Sequence, residues 1–184
     1  TNSQTIGKNN TIERSANSLV VGESNEIESD ANNAVVFGKM GKATHTGEVV
    51  FDSGSFNEVA GLTQMSIVQV SNRTEGDDQT LYIQGDDVLD NEITLPNNSI
   101  TTYEIYLQGL CTGGSSGTAG HFQSRKLIGS ILTNTDGVLT HTATSNTDLA
   151  TTGTTGTASI VVSTNYTLSI LVGGARNVNA DWNA

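Results

Sequence analysis

The chain has 184 residues, of which 35% are apolar and only 15% charged, with 20 glycines and a single proline, Pro96. Eight Lys and Arg against 19 Asp and Glu give a formal charge of −11, which excludes the basic footprint of a nucleic-acid binder and simple electrostatic docking on an anionic membrane. The low charged fraction argues against disorder. The polarity comes instead from Thr, Ser and Asn, which suit solvent-facing strands and turns. No apolar run approaches the ~20 residues of a membrane-spanning helix. Thr1 is not an initiator methionine, so the sequence is expected to be a fragment or processed piece of something longer.

Residues 1–51 carry a short repeat. N-T-I-E-R-S-A-N-S-L-V-V-G ends at Gly22, and N-E-I-E-S-D-A-N-N-A-V-V-F-G ends at Gly38. Asn10, Ile12, Glu13, Ala16 and Asn17 recur as Asn25, Ile27, Glu28, Ala31 and Asn32, and one inserted residue then shifts Gly22 to Gly38. A degenerate third copy runs from Gly47 to Asp52. A unit this short is one strand plus one turn and cannot bury its own apolar face. The next coil, or the same coil of another chain, must cover it. The expectation is a stacked, oligomeric β-roll. Each coil ends in an apolar run: Leu19-Val20-Val21, then Ala34-Val35-Val36-Phe37, then Glu48-Val49-Val50-Phe51. The spacing does not say which member of each run points inward. A glycine after the run permits a turn with positive φ.

Residues 52–61 (D-S-G-S-F-N-E-V-A-G) read as a junction, with Phe56 and Val59 expected to plug the next domain. Residues 62–184 switch to period-two patterning. Tyr103, Ile105, Leu107 and Cys111 share one face of a long strand, opposite Thr102, Glu104, Tyr106 and Gln108. Asn134-Thr135-Asp136-Gly137 is a turn signal between two strands. Roughly eight or nine strands without helical periodicity fit an antiparallel, jelly-roll-like β-sandwich. Cys111 has no intrachain partner and is expected to be a buried small hydrophobe. Trp182 is either a core or interface anchor, which its burial tendency favours, or a ring that stacks on sugar.

Residues 60–184 resemble a domain found at the ends of bacteriophage tail fibres and related virion proteins. The resemblance lies in A-G-L-T-Q-M-S-I-V-Q-V-S-N-R-T, Q-T-L-Y-I, E-I-T-L-P-N-N-S-I-T-T-Y-E-I-Y-L and the terminal D-W-N-A, at Ala60, Gly61, Gln64, Leu95 to Ser99 and Trp182 to Ala184. The repeats ahead of it are similar to the head repeats of trimeric autotransporter adhesins. Together these resemblances imply an intertwined homotrimeric fibre protein. Two departures weaken any transfer of ligand: Leu107-Gln108-Gly109-Leu110 replaces the family's V-A-R, and Gly113 to Gly120 is unusually glycine-rich.

The chemistry-bearing residues are sparse. Asp77-Asp78, Asp86-Asp87 and Asp90-Glu92 are acids in or beside G-D-D turns, where solvation is the rule. They lack the register of a Ca²⁺ loop and are paired carboxylates for glycan hydrolysis by residue type alone. His45, His121 and His141 have no metal-ligand spacing, and no phosphate-cradling glycine motif is present. No cofactor is expected, and whether a metal binds is left open. The expected function is attachment of a virion tail fibre to a bacterial surface glycan without catalysis. Tyr82, Tyr106 and the loop residues Ser115, Ser116 and Thr118 are the candidate contacts, because hydroxyls, amides and aromatic faces suit sugars. The partners expected are two further copies of the chain, the receptor and other virion proteins. A purely structural virion piece, a bacterial trimeric adhesin and a glycan-cleaving tailspike are the alternatives.

Overall fold

The computed structural model describes residues 2–85, 92–153, 156–163, 165–174 and 176–184. The described residues form strands and turns with one 3-10 turn, Phe56–Glu58, and no α-helix. The chain divides into two compact units, Thr1–Gln69 and Val70–Ala184.

The first unit is a parallel β-solenoid. Strands β1 (Gln4–Lys8), β3 (Leu19–Glu23), β5 (Val35–Lys39) and β7 (Val49–Ser53) stack into one parallel sheet. The short strands β2 (Thr11–Ile12), β4 (Glu26–Ile27) and β6 (Lys42–Ala43) make a second. Gln4 lies beside Leu19, Leu19 beside Val35 and Val35 beside Val49, so successive coils advance by 15, 16 and 14 residues. Alternation along each strand turns the middle residue of the apolar run inward. Val20, Val36 and Val50 are fully buried, and with Ile27, Ala31, Ala34 and Ala43 they form the core between the two sheets.

Two polar or backbone features fix the spacing of the coils. The Asn25 side chain donates to Gly38 O (2.9 Å) and accepts from Gly41 N–H (2.8 Å), and its own N–H donates to Asn10 Oδ1 (3.0 Å). The inward amides thus stitch neighbouring coils where a backbone turn leaves groups unpaired. Gly7, Gly22 and Gly38 share one register position with φ of 114°, 132° and 117°. A Cβ on Gly22 would lie 1.8 Å from Gly38 O, so only glycine permits this approach.

The stack ends in a built cap. Strand β8 (Met65–Ile67) pairs antiparallel with β7. Beside the second sheet, Gln64 accepts from Lys42 N–H and donates to Lys42 O, both at 2.8 Å, so its amide takes the place of a further strand against β6. Residues 62–69, expected to open the head domain, therefore belong to the solenoid unit. Phe56 and Val59 are 73% and 49% exposed.

The second unit is one curled antiparallel sheet. Its strands are β9 (Val70–Glu75), β10 (Gln79–Ile83), β11 (Ile93–Thr94), β12 (Ile100–Gly113), β13 (Phe122–Asn134), β14 (Gly137–Thr152), β15 (Gly156–Val162), β16 (Thr167–Gly174) and β17 (Asn179–Asn183). The pairing order is β11-β16-β10-β9-β17-β12-β13-β14, with β15 also on β16. The expected two-layer sandwich is therefore not seen as two separate sheets. One half-barrel sheet folds over a single core instead. Asn146 of β14 donates to Ala158 O of β15 (3.2 Å), which links its two ends.

Leu81, Ile83, Leu107, Leu127, Ile131, Ile170 and Val172 fill the concave side. Trp182 lies at its centre, 1% exposed, and its Nε1–H donates to Thr74 Oγ1 (3.2 Å). A Cβ on Gly109 would come within 2.5 Å of the indole, so the absent side chain is what admits the ring. Cys111 is buried, as its pattern indicates.

Three substitutions test this packing. Val36→Asp places an unpaired carboxylate in the solenoid core and should cost several kcal/mol, read as loss of the folded first unit by circular dichroism and proteolysis. Gly22→Ala should lower the midpoint of thermal unfolding, because its Cβ meets a backbone oxygen. Trp182→Ala should destabilise the second unit by about 3–5 kcal/mol, measured by urea denaturation. Wild-type stability in any of the three would refute the corresponding packing.

Candidate functional site

The structure separates the five candidate contacts into two regions of the second unit. Ser115, Ser116 and Thr118 are exposed in the connection between β12 and β13. Tyr82 and Tyr106 lie on the convex face of the sheet.

The first region is one end of the half-barrel. The connections β9–β10 and β12–β13 and the start of β17 lie there, because antiparallel register sets Glu75 beside Asn179 and Asn179 beside Gly113. Ser116 N–H donates to Asn177 O (3.0 Å), and Cβ atoms on Gly114 and Gly76 would lie 2.3 and 3.2 Å from the Asn177 backbone. A Cβ on Gly153 would meet the His121 ring. The glycine-rich segment is therefore a surface loop folded against its neighbours. Asp77 and Asp78 sit in the adjoining turn. Asp86, Asp87 and Asp90 lie outside the described residues. Among the described residues no group of three His, Cys, Asp or Glu side chains converges as a metal site.

The second region is built by register. Tyr82 pairs with Ser71, Ser71 with Asn183, Asn183 with Gln108 and Gln108 with Ser124. Directly opposed residues share a face, so these five side chains form one row across β10, β9, β17, β12 and β13. Tyr106 lies two residues from Gln108 on the same face and is 56% exposed. Its hydroxyl donates to Glu104 Oε1 (2.5 Å), Lys126 Nζ pairs with the same oxygen (2.7 Å), and the ammonium sits 5.1 Å from the ring centroid. The Lys126 bond, then the Tyr106 bond, hold the Glu104 carboxyl below its usual range. On the other side of the row, Arg73 Nε contacts Asp181 Oδ1 at 2.7 Å. The sequence places Gln108 on the face of Tyr106 by alternation alone. Ser71 and Asn183 carry no such signal, because they join the row through pairing across most of the unit.

The histidines have local structural partners. His141 Nε2 bonds the Tyr103 hydroxyl (2.8 Å), and the His121 carbonyl accepts from Cys111 N–H (2.7 Å). His45 Nδ1 contacts Glu48 Oε2 (3.0 Å) inside the solenoid unit, with exposures of 6% and 2%. That oxygen also accepts from the N–H groups of Thr44 and His45 (2.8 and 3.0 Å). Burial pushes the Glu48 carboxyl up. The His45 hydrogen bond and charge, the Ser66 hydroxyl and the Thr44 amide outweigh it, and the group lies below its usual range.

No protein-family model matches the chain, and no curated protein matches it. Among solved structures, the Acinetobacter baumannii phage AM24 tailspike protein is similar over 90% of this chain and 32% of its own, at 9% identity and a TM-score of 0.29. The Acinetobacter phage vB_ApiP_P1 tailspike protein is similar over 91% of this chain and 40% of its own, at 8% identity and a TM-score of 0.26. The chain spans less than half the length of either, and at these scores neither likeness carries an argument.

The Glu48 environment has a testable consequence. A carboxyl held below its unfolded value of 4.5 contributes stability that is complete above that pH and lost as pH falls through the folded value. Acid titration of the protein should therefore destabilise the solenoid unit below about pH 4.5, and Glu48→Gln should flatten that dependence. An unchanged acid limb in the variant would show that Glu48 is not its source.

Proposed function

We propose that this protein is a virion fibre component, from a phage tail fibre, that attaches to a bacterial surface glycan and leaves it intact. The observation that carries the reading is the polar surface of the second unit. Hydroxyls and amides dominate both the loop-built end and the convex row. The nearby charges of Arg73, Asp181, Glu104 and Lys126 are paired among themselves. Such a surface offers many neutral donors and acceptors to a polyhydroxylated ligand. The motifs shared with fibre-end domains and with adhesin head repeats point to the same class.

The chain acts as a homotrimer. The outer face of the solenoid sheet supports this reading. Ile6, Phe37, Phe51, Met65 and Ile67 are 56%, 36%, 42%, 57% and 55% exposed, and the Phe37 and Phe51 rings stack at 5.6 Å. An apolar surface of this kind marks an interaction site, and other copies of the same face are its natural cover. Three copies make weak single-site contacts additive by avidity. The parallel solenoid also favours a second reading, a bacterial trimeric adhesin. Finding a coiled-coil stalk and membrane anchor encoded downstream would select it.

The test is direct. Light scattering at micromolar concentration should give three times 19.2 kDa, and an array of bacterial surface glycans should show binding. A stable monomer would contradict the assembly. Absence of any glycan binding, with the trimer intact, would leave a purely structural fibre piece.

A further inference from the structure

We propose that the row Tyr82, Ser71, Asn183, Gln108 and Ser124 on the convex face of the second unit is a binding strip for an extended, uncharged oligosaccharide. The inference rests on the glycan-binding reading and names its surface and ligand class.

The strip is continuous because it follows strand pairing around the convex face. Four strand steps of about 4.8 Å give it a length of roughly 19 Å, which matches a short linear oligosaccharide laid across the strands. A shallow depression of about 450 Å³ lies over its β12, β13 and β17 portion, lined by Gln108, Leu110, Phe122, Ser124, Asp181 and Asn183.

Four of the five strip residues have open hydrogen-bonding capacity. The side chains of Ser71, Gln108, Ser124 and Asn183 bond no other described residue. Three rows away on the same face, by contrast, Thr102 and Ser130 bond each other (3.2 Å), so one of their two hydroxyl donors is already engaged. Each free amide presents two donors and an acceptor, and each hydroxyl one donor and two acceptor lone pairs. Neighbouring sugar hydroxyls need that mixture.

Charge selects the ligand class. The strip itself carries no ionisable group below the tyrosine range. The ion pairs Arg73–Asp181 and Lys126–Glu104 flank it and are neutral as pairs. The chain as a whole carries −11, which repels polyanionic glycans. Tyr106, beside Gln108, adds an aromatic face already fixed by Glu104 and Lys126, so little rotamer entropy is lost when a sugar stacks on it.

The experiment uses the full chain, an array of purified neutral bacterial O-antigen oligosaccharides, and a matched array of uronic-acid-containing ones. The variants are Gln108→Ala with Asn183→Ala, Gln108→Glu alone, and Ser115→Ala with Ser116→Ala in the loop. Removal of two hydrogen-bonding groups should weaken neutral ligands roughly tenfold or more, while the loop variant keeps wild-type affinity. Oligomeric mass and thermal midpoint should stay unchanged, because the replaced groups hold nothing together. Gln108→Glu should weaken binding as well while preserving side-chain shape. Neutral ligands retained within about twofold in all strip variants would overturn the strip and leave the glycan reading standing, as would binding confined to the acidic array. Binding lost only in the loop variant would move the site to the end of the half-barrel. If the wild-type protein binds neither array, the glycan reading fails and the strip fails with it.

Discussion

The spacing of the parallel coils is the constraint on which the first unit depends. The coils through β3, β5 and β7 each contribute one fully buried valine to the main sheet, and these valines pack with Ile27, Ala31, Ala34 and Ala43 in one core. The approach must be close, and the glycine column and the inward asparagines enforce it. Gly22 has no side chain to collide with Gly38 O, and Asn25 bonds both adjoining coils. The column ends at Asp52, where glycine is no longer needed because the next strand, β8, is antiparallel. Gln64 then satisfies the open backbone of Lys42. A parallel stack with an exposed last edge would invite further pairing, and this cap limits it.

Much of this was legible in the sequence because short-period repeats impose register locally. The recurrence of Asn10 as Asn25 and of Gly22 as Gly38 marks residues with the same neighbours in successive coils. Period-two alternation likewise identified the inner and outer faces of β12, including exposed Tyr106 and buried Cys111. The role of Gln64 was not legible. Its motif is visible, but the amide's partner lies 22 residues away. The reach of the solenoid unit to Gln69 was hidden for the same reason. Met65 to Ile67 has an ordinary strand pattern, and nothing local says that its partner is β7.

The second unit shows how far patterning can reach. Alternation distinguishes inward from outward residues but does not count sheets, so a half-barrel and a sandwich share one signature. Pairing between β9 and β17 joins residues more than a hundred positions apart, and the convex row is assembled by such pairings. Tyr82 and Tyr106 were recognisable as aromatic residues on polar faces. That they flank a common strip of amides and hydroxyls, about three strand steps apart, emerges only from the folded sheet. The loop serines were visible as a glycine-rich surface segment and lie at the end of the half-barrel, away from that strip.

The proposed attachment requires that the protein hold a bacterial surface polysaccharide without cutting it. The most direct measurement is to incubate the purified protein with intact surface polysaccharides from a panel of bacterial strains, then follow bound fraction and chain length together by size-exclusion chromatography. At least one polysaccharide should co-elute with the protein and keep its original length over hours. A progressive shortening of the bound chain would contradict it and identify a glycan-cleaving tailspike instead.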